Sequence, residues 1–229
     1  MPVLSKRLLT LLACFVLTTN FAFADSVEGT AIFDNGVLDD NNSQVSSVIT
    51  ITDSGIIKNL SVSINGIQHT RVGDLIAELR FLGPGGPSGP GGNPAFLFNR
   101  PNVDATNVGG SQSNLFGTYT FTDNPNDANF WNESAIPDNQ DVPTANPFFA
   151  SDVNGDFHDL AGPNFFGGFD VQGQWELIIT DANTGVAENN DGSVIGWTVE
   201  FHVQNIPEPS SSAIAALAVF CLAGRRRRS

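Results

Sequence analysis

The chain has 229 residues and a formal net charge of −14 at neutral pH. Between residues 25 and 205 the only lysine or arginine residues are Lys58, Arg71, Arg80 and Arg100, so this part of the chain is strongly acidic. A field of that sign repels phosphate backbones, which argues against nucleic-acid binding, and it favours divalent cations.

The first 24 residues have the features of an export signal. A basic pair precedes an apolar run, and Ala-Phe-Ala at 22–24 supplies the small residues of a cleavage site. We therefore predict cleavage between Ala24 and Asp25. A lipoprotein signal at residues 11–14, with Cys14 lipidated, is the alternative, but the apolar run before Cys14 is short and hydrophobicity continues beyond it.

The part between residues 25 and 205 contains no cysteine, so it has no disulfide and depends on core burial or bound ions. Its apolar residues alternate with polar ones in four segments, 59–64, 74–82, 174–180 and 195–203, which is typical of half-buried strands. The apolar members are Leu60, Val62 and Ile64; Leu75, Ala77, Leu79 and Phe81; Trp175, Leu177 and Ile179; and Ile195, Trp197, Val199, Phe201 and Val203.

Two further segments, 46–52 and 115–122, are rich in β-branched and aromatic residues and are also predicted strands. Strands with one apolar face need a second sheet to cover that face. We therefore predict an all-β, antiparallel sandwich over residues 25–205, flanked by short terminal signal helices, with Trp175 and Trp197 in its core.

Two long connections separate the predicted strands. Residues 83–94 are rich in glycine and proline but lack the sustained triplet period of collagen, so we predict a hairpin connection. Residues 123–164, rich in Asn, Asp and Pro, predict a long loop over the sandwich edge.

Three sequence elements resemble the P domain, also called P/Homo B, which follows the catalytic domain of kexin- and furin-like subtilases and occurs in many bacterial secreted proteins. The matching residues are His69, Thr70, Gly73, Asp74 and Leu75; then Gly173, Trp175, Leu177 and Asp181; then Gly192 and Trp197. The resemblance spans residues 45–203 and implies a jelly-roll β-sandwich of galactose-binding-like type. It also implies an association with serine endopeptidases.

Catalytic residues are not expected in this chain. His69, His158 and His202 lie in a turn, an acidic loop and a solvent-facing strand position, and no Gly-x-Ser-x-Gly elbow occurs. No two histidines stand at zinc-ligand spacing on one element. We therefore predict neither a serine triad nor a histidine zinc site.

Calcium is the one cofactor that the sequence suggests. The carboxylates of Asp74, Asp181 and Asp191 match positions of the P-domain elements, and a hard cation would relieve their repulsion if they gather at one end of the sandwich. In the alternative, Asp74 and Asp181 cap turns by accepting backbone N–H groups. Residues 152–159 resemble an EF-hand loop but lack its turn glycine, so we reject that motif.

The last 24 residues, 206–229, carry three features in a fixed order. They are the tripeptide Pro207, Glu208 and Pro209, then the small and apolar residues 213–224, then Arg225, Arg226, Arg227 and Arg228. As a helix the apolar run would reach only about 18 Å, against a hydrocarbon core of about 30 Å, so it is a poor permanent anchor. The arginines would stay on the cytoplasmic side, which places 25–205 outside.

This order resembles the PEP-CTERM sorting tail of Gram-negative bacteria; a simple tail anchor is the alternative. The resemblance implies transient insertion in the inner membrane, cleavage near Pro207 by an exosortase, and delivery to the outer surface, an exopolysaccharide matrix or the medium.

From these features we expect a non-catalytic exported module that acts in adhesion or matrix structure, or binds another protein. One alternative is an accessory P domain of a subtilisin-like serine endopeptidase, with a secreted protease as partner. Another is a carbohydrate-binding module that presents Phe130 and Trp131 to a surface polysaccharide.

Overall fold

A computed structural model describes most of the chain between the two terminal segments. The described residues are 24–38, 43–83, 95–103, 110–182 and 192–204. The predicted signal peptide, the terminal helices, the hairpin connection at 84–94 and the sorting tail therefore lie outside the described residues, apart from Ala24, which is the first residue of a strand.

The described residues form two sheets, and the larger contains eight strands of this part of the chain. In chain order they are β1 (Ala24–Ile32), β2 (Val37–Leu38), β4 (Ile56–His69), β7 (Leu115–Thr122), β8 (Ala128–Asn129), β9 (Phe148–Phe149), β11 (Gly192–Ser193) and β12 (Gly196–Gln204). Across the sheet the order is β1-β12-β4-β7-β9-β8, with β11 beside β2 and β4. The long strands pair antiparallel, whereas β9 runs parallel to β7 and β8.

The smaller sheet contains four strands in the order β3-β10-β5-β6, all antiparallel. They are β3 (Gln44–Ile51), β5 (Leu75–Phe81), β6 (Ala95–Asn99) and β10 (Gly173–Asp181). In β3 and β5, buried and more exposed residues alternate strictly, because successive side chains of a strand point to opposite faces.

The apolar faces of the two sheets form one core, which confirms the predicted all-β sandwich. Of the predicted apolar strand residues all are buried except Ile195, whose side chain is 65% exposed. Ile195 stands between β11 and β12 and not within a strand, so the alternation that begins at Trp197 does not extend to it.

Trp175 and Trp197 are fully buried, as predicted. The Trp175 ring of the small sheet lies 4.8 Å from the ring of Phe81 in β5 and 4.6 Å from that of Phe201 in β12 of the large sheet. Its Nε1–H donates to the Val171 carbonyl at 2.9 Å. Trp175 therefore joins the two sheets through packing while its one polar atom is satisfied.

The segment 123–164 is more ordered than the predicted loop. It contains β8, the single helical turn α1 (Phe130–Ser134) and β9. The Asn129 side chain caps α1 by accepting the N–H groups of Trp131 and Asn132. Phe130 is fully buried, with ring centroids 4.9 to 5.1 Å from those of three other phenylalanines, so this segment extends the core. These three are Phe98, Phe121 and Phe148.

At one end of the sandwich the chain crosses directly between the sheets. β4 ends at His69 in the large sheet, a 3-10 turn spans Val72–Asp74, and β5 begins at Leu75 in the small sheet. The last residue of β10, Asp181, stands opposite Leu75. The end of β4, the turn and the end of β10 therefore meet at this end.

Replacing Trp175 by alanine removes a ring that contacts both sheets, and we expect a loss of about 3 to 5 kcal/mol in the free energy of unfolding. The matched control is Phe116→Ala, because the Phe116 side chain is 61% exposed and its loss costs under about 0.5 kcal/mol. Urea unfolding followed by near-UV circular dichroism measures both. Equal losses in the two variants would contradict the assignment of Trp175 to the core.

Candidate functional site

A buried polar cluster lies at the end of the sandwich where the chain crosses between the sheets. Its members are His69, Arg71, Asp74 and Asp181, all of which are buried, with Arg100 at the edge. The structure therefore brings together His69, Asp74 and Asp181, three residues of the P-domain elements. Gly73 lies in the same turn, and Asp191 lies outside the described residues.

Both ring nitrogens of His69 have partners. Nδ1 accepts the backbone N–H of Arg71 at 3.1 Å, and Nε2 lies 3.1 Å from Oδ2 of Asp181. Because Nδ1 accepts, the proton of the neutral ring stands on Nε2 and is donated to the Asp181 carboxylate. The imidazole thus links the large sheet to the small one.

Asp74 meets basic side chains on both of its oxygens. Nε of Arg71 lies 3.5 Å from Oδ2, and Nη2 of Arg100 lies 4.0 Å from Oδ1. Burial raises the pKa of Asp74 above its ordinary value, and the positive charge of Arg71 acts in the opposite direction. Arg100 adopts φ of 45° and also donates from Nε to the Gly73 carbonyl.

Backbone contacts close the cluster on its remaining sides. The N–H of Asp181 donates to the Ser43 carbonyl at 2.9 Å, and that of Ala182 to the Asp74 carbonyl at 2.7 Å. A Cβ at Gly192 would stand 2.4 Å from Cδ2 of His69, so only glycine fits there. Oδ1 of Asp181 is buried, and none of the described residues donates a hydrogen bond to it.

The side chains of Asp74 and Asp181 therefore face Arg71, Arg100 and His69, and no backbone N–H of the described residues donates to either carboxylate, as a turn-capping role would require. Within the described ranges, no group of three or more His, Cys, Asp or Glu side chains could hold a metal ion. Calcium at Asp74, Asp181 and Asp191 stays a prediction, because Asp191 lies outside those ranges.

The geometry of His69 does not suit general-base catalysis. Its ring is 2% exposed and both nitrogens are engaged, so it has no free lone pair for a substrate or a hydroxyl nucleophile. His158 is partly buried, which lowers its pKa, and its Nδ1 lies 3.3 Å from the Phe96 carbonyl. His202 is exposed on β12, as predicted.

A separate surface cavity of about 450 Å³ lies beside α1. It is bounded by a turn at 100–103, the residues 110–112 that lead into β7, and the segment 131–138. Its side chains include Asn102, Gln112, Trp131 and Asp138. Its volume falls within the range of small-molecule sites.

Hydrogen bonds join the three segments around this cavity. The side-chain amide of Asn102 donates to the Trp131 carbonyl at 3.0 Å and to Oγ of Ser134 at 3.1 Å. The hydroxyls of Ser111 and Ser113 both donate to the Ser134 carbonyl, and the N–H of Asn139 donates to the Gln112 carbonyl. The cavity walls are therefore fixed relative to one another.

Of the two aromatic residues predicted for sugar contact, the structure exposes one. Phe130 is buried in the core, so its predicted exposure is wrong, whereas Trp131 is partly exposed and lines the cavity. Sequence reasoning missed Asn102, Gln112 and Asp138. The dipeptide Pro101-Asn102 is a turn signal that could have predicted the turn at Asn102, whose φ is 63°. Nothing in the sequence connects this turn to Gln112 or Asp138.

Comparison with protein families matches residues 205–228 to the PEP-CTERM protein-sorting motif. This confirms the predicted sorting tail and implies an exported protein that an exosortase processes. No curated protein matches the chain. Among the described residues there is no helix with the length and apolarity needed to cross a membrane.

The chain is similar to several solved structures, and it spans a third or less of each of the following three. The complex of the Aeromonas sobria serine protease with the chaperone ORF2 matches with a TM-score of 0.45 and 15% identity, covering 86% of this chain and 29% of that chain. The serine protease of Aeromonas sobria in another structure matches with a TM-score of 0.39 and 18% identity, covering 83% of this chain and 28% of that chain. The structure of infectious bursal disease virus strain Gx matches with a TM-score of 0.28 and 13% identity, covering 81% of this chain and 33% of that chain.

Asp74→Asn removes a carboxyl whose pKa burial raises above 3.8. Protonated Asp74 contributes its full share to the free energy of unfolding below pH 3.8, and this contribution is lost as the pH rises through the raised pKa of the folded state. We therefore expect the free energy of unfolding of the wild type, relative to Asp74→Asn, to fall as the pH rises from about 3.8 towards 7. Urea unfolding across this range measures the difference.

Asp170→Asn is a control of opposite sign. Burial acts to raise the pKa of Asp170, but hydrogen bonds from Gln172, Ser54 and Gly55 outweigh it and lower the pKa below 3.8. Its contribution is therefore present above pH 3.8 and lost as the pH falls through the folded pKa. A wild-type advantage over Asp74→Asn that grows with pH would contradict the raised pKa.

Proposed function

We propose that this chain is a non-catalytic, P-domain-like module of the cell surface or of an exopolysaccharide matrix. The observation that carries the proposal is the PEP-CTERM match at residues 205–228, joined to a β-sandwich without a disulfide. The tail holds the exported chain transiently at the inner membrane until an exosortase cuts it near Pro207. The sandwich serves outside the cell in adhesion or matrix structure, or as a binding partner of another protein.

The buried cluster supports the P-domain part of the proposal. His69, Asp74, Asp181 and Gly192 come from three separate sequence elements of the resemblance, and they lie within one contact network. Trp175 and Trp197 of the same elements are core residues. Residues that stand far apart in the sequence thus serve one structural purpose, as members of a domain signature do.

The cluster also supports the absence of catalysis. An imidazole beside a carboxylate resembles part of a serine-protease triad, but His69 is buried, and within the described ranges its two ring nitrogens are engaged by the Arg71 N–H and the Asp181 carboxylate. The pair joins two sheets. An accessory role for a separate subtilisin-like endopeptidase remains the alternative function, because it too requires a folded partner without a nucleophile of its own.

Sorting is tested by expressing the full chain in a Gram-negative host that encodes an exosortase and in the same host with that gene deleted. We expect an extracellular product that ends near Pro207 in the first host. In the second we expect an uncut chain in the inner membrane. Intact mass spectrometry of each cell fraction measures both.

The matched control variant carries Pro207→Ala, Glu208→Ala and Pro209→Ala and keeps the apolar segment and the four arginines. In the host that encodes the exosortase, we expect this variant to stay uncut in the inner membrane, as the wild type does in the host that lacks the exosortase. Export of an uncut chain by the first host, or identical fractionation of variant and wild type, would contradict the proposal.

Catalysis is tested by incubating the full chain with a fluorophosphonate serine probe and with casein. We expect neither labelling nor cleavage, because His69 cannot activate a nucleophile. Labelling that His69→Gln abolishes would overturn the non-catalytic proposal. In a second arm, the chain is added to a subtilisin-like protease during refolding, and a rise in recovered protease activity would favour the accessory role.

A further inference from the structure

The cavity beside α1 has the chemistry of a ligand site that the sorting role does not use. Its lining offers one aromatic ring, one carboxylate, two side-chain amides and one hydroxyl, from Trp131, Asp138, Asn102, Gln112 and Ser111. The side chains of Asn102 and Ser111 hold the walls together, so two polar groups, those of Gln112 and Asp138, stand at the surface.

The side chains of Gln112 and Asp138 make no hydrogen bond or ion pair with any of the described residues, and both residues are exposed. Together these two side chains offer the hydrogen-bond donors and acceptors that a ligand with several hydroxyl groups requires. The amide of Gln112 donates and accepts, and the carboxylate of Asp138 accepts. The backbone bond from Asn139 to the Gln112 carbonyl keeps these two positions next to each other.

Trp131 supplies the apolar part of the site. Its N–H is capped by Asn129 at 2.8 Å and its carbonyl accepts from Asn102, so the residue is held at both backbone groups. A Cβ at Gly155 would stand 2.7 to 3.0 Å from the ring atoms Cδ2, Cγ and Cε3, so the backbone of Gly155 packs closely against the indole. The ring is therefore braced before any ligand arrives, which lowers the entropic cost of binding.

The charge of the site selects among ligand classes. Among the described residues that line the cavity there is no lysine or arginine, and Arg100, in the adjoining turn, directs its guanidinium to Gly73 and Asp74. A phosphate, sulfate or uronate would meet Asp138 without a counter-ion. A ligand with an apolar face for Trp131 and neutral hydroxyls for Gln112 and Asp138 fits, and a pyranose has both, because its C–H bonds line one face and its hydroxyls the rim.

We propose that this cavity binds a neutral saccharide, with one pyranose ring stacked on Trp131 and hydrogen-bonded to Gln112 and Asp138. The proposal deepens the surface role proposed above, because it assigns that role a ligand class. It does not depend on the tail, so a chain that is sorted without binding sugar and a chain that binds sugar without being sorted are distinct results.

Binding is measured with the purified full chain and a panel of neutral hexasaccharides built from glucose, N-acetylglucosamine, xylose, mannose or galactose. Tryptophan fluorescence is a direct reporter, because Trp175 and Trp197 are fully buried and Trp131 lines the cavity. We expect at least one hexasaccharide to bind at concentrations up to about 5 mM, and its binding to persist in about 0.5 M NaCl.

Variants locate the binding. We expect Trp131→Ala to weaken it about tenfold or more, Trp131→Phe to retain most of it, and Gln112→Ala to weaken it about threefold to tenfold. Phe116→Ala, which removes an exposed ring elsewhere, is the matched control and leaves binding unchanged. Isothermal titration calorimetry measures the variants that lack Trp131, and thermal melting confirms that each is folded.

Three outcomes would overturn the proposal. The first is silence across the whole neutral panel. The second is that Gln112→Ala and a folded Trp131→Ala both bind the sugar with the same affinity as the wild type. The third is a preference for hexagalacturonate or hexalysine over every neutral sugar. A preference for hexagalacturonate would indicate an anion site, and a preference for hexalysine would indicate a site in which Asp138 and Trp131 hold a peptide cation.

Discussion

The packing of two one-faced sheets against each other is the interaction on which the rest of this structure depends. Each sheet is apolar on one side only, and residues 25–205 contain no cysteine that could link them. Trp175 of the small sheet contacts Phe81 beside it and Phe201 across the interface, so its burial holds both layers together. Hydrophobic burial of this kind is non-directional, which is why a second contact is needed to align the sheets at their ends.

The polar cluster provides that alignment at the end where the chain passes from β4 to β5. A buried carboxylate without a partner is costly, and here Asp74 meets Arg71 while Asp181 meets His69. Hydrogen bonds, unlike apolar contacts, fix distance and direction. The imidazole–carboxylate pair, which in another setting would indicate catalysis, therefore sets how the two sheets meet.

Residues with accessible chemistry lie instead in the connections between strands. Asn102, Gln112 and Asp138 belong to three separate loops, and hydrogen bonds to Ser134 and between Asn139 and Gln112 gather these loops against α1. This arrangement separates two tasks within one acidic domain. The sheets and the cluster supply rigidity, and the loop cavity supplies an accessible surface on a protein that its PEP-CTERM tail marks for export.

The sequence by itself determined the sorting tail, the strand positions and the core tryptophans, because each depends on local order or on a period of two along one strand. It failed at Ile195, which continues the alternation but lies between β11 and β12, and at Phe130, whose burial depends on Phe98 and Phe148 from distant segments. Only the tertiary structure decided that the backbone N–H of Arg71 and the carboxylate of Asp181 engage both ring nitrogens of His69, and that Gln112 and Asp138 share a cavity with Trp131. Such contacts join residues that no period or spacing connects, so they exist only once the two sheets have packed.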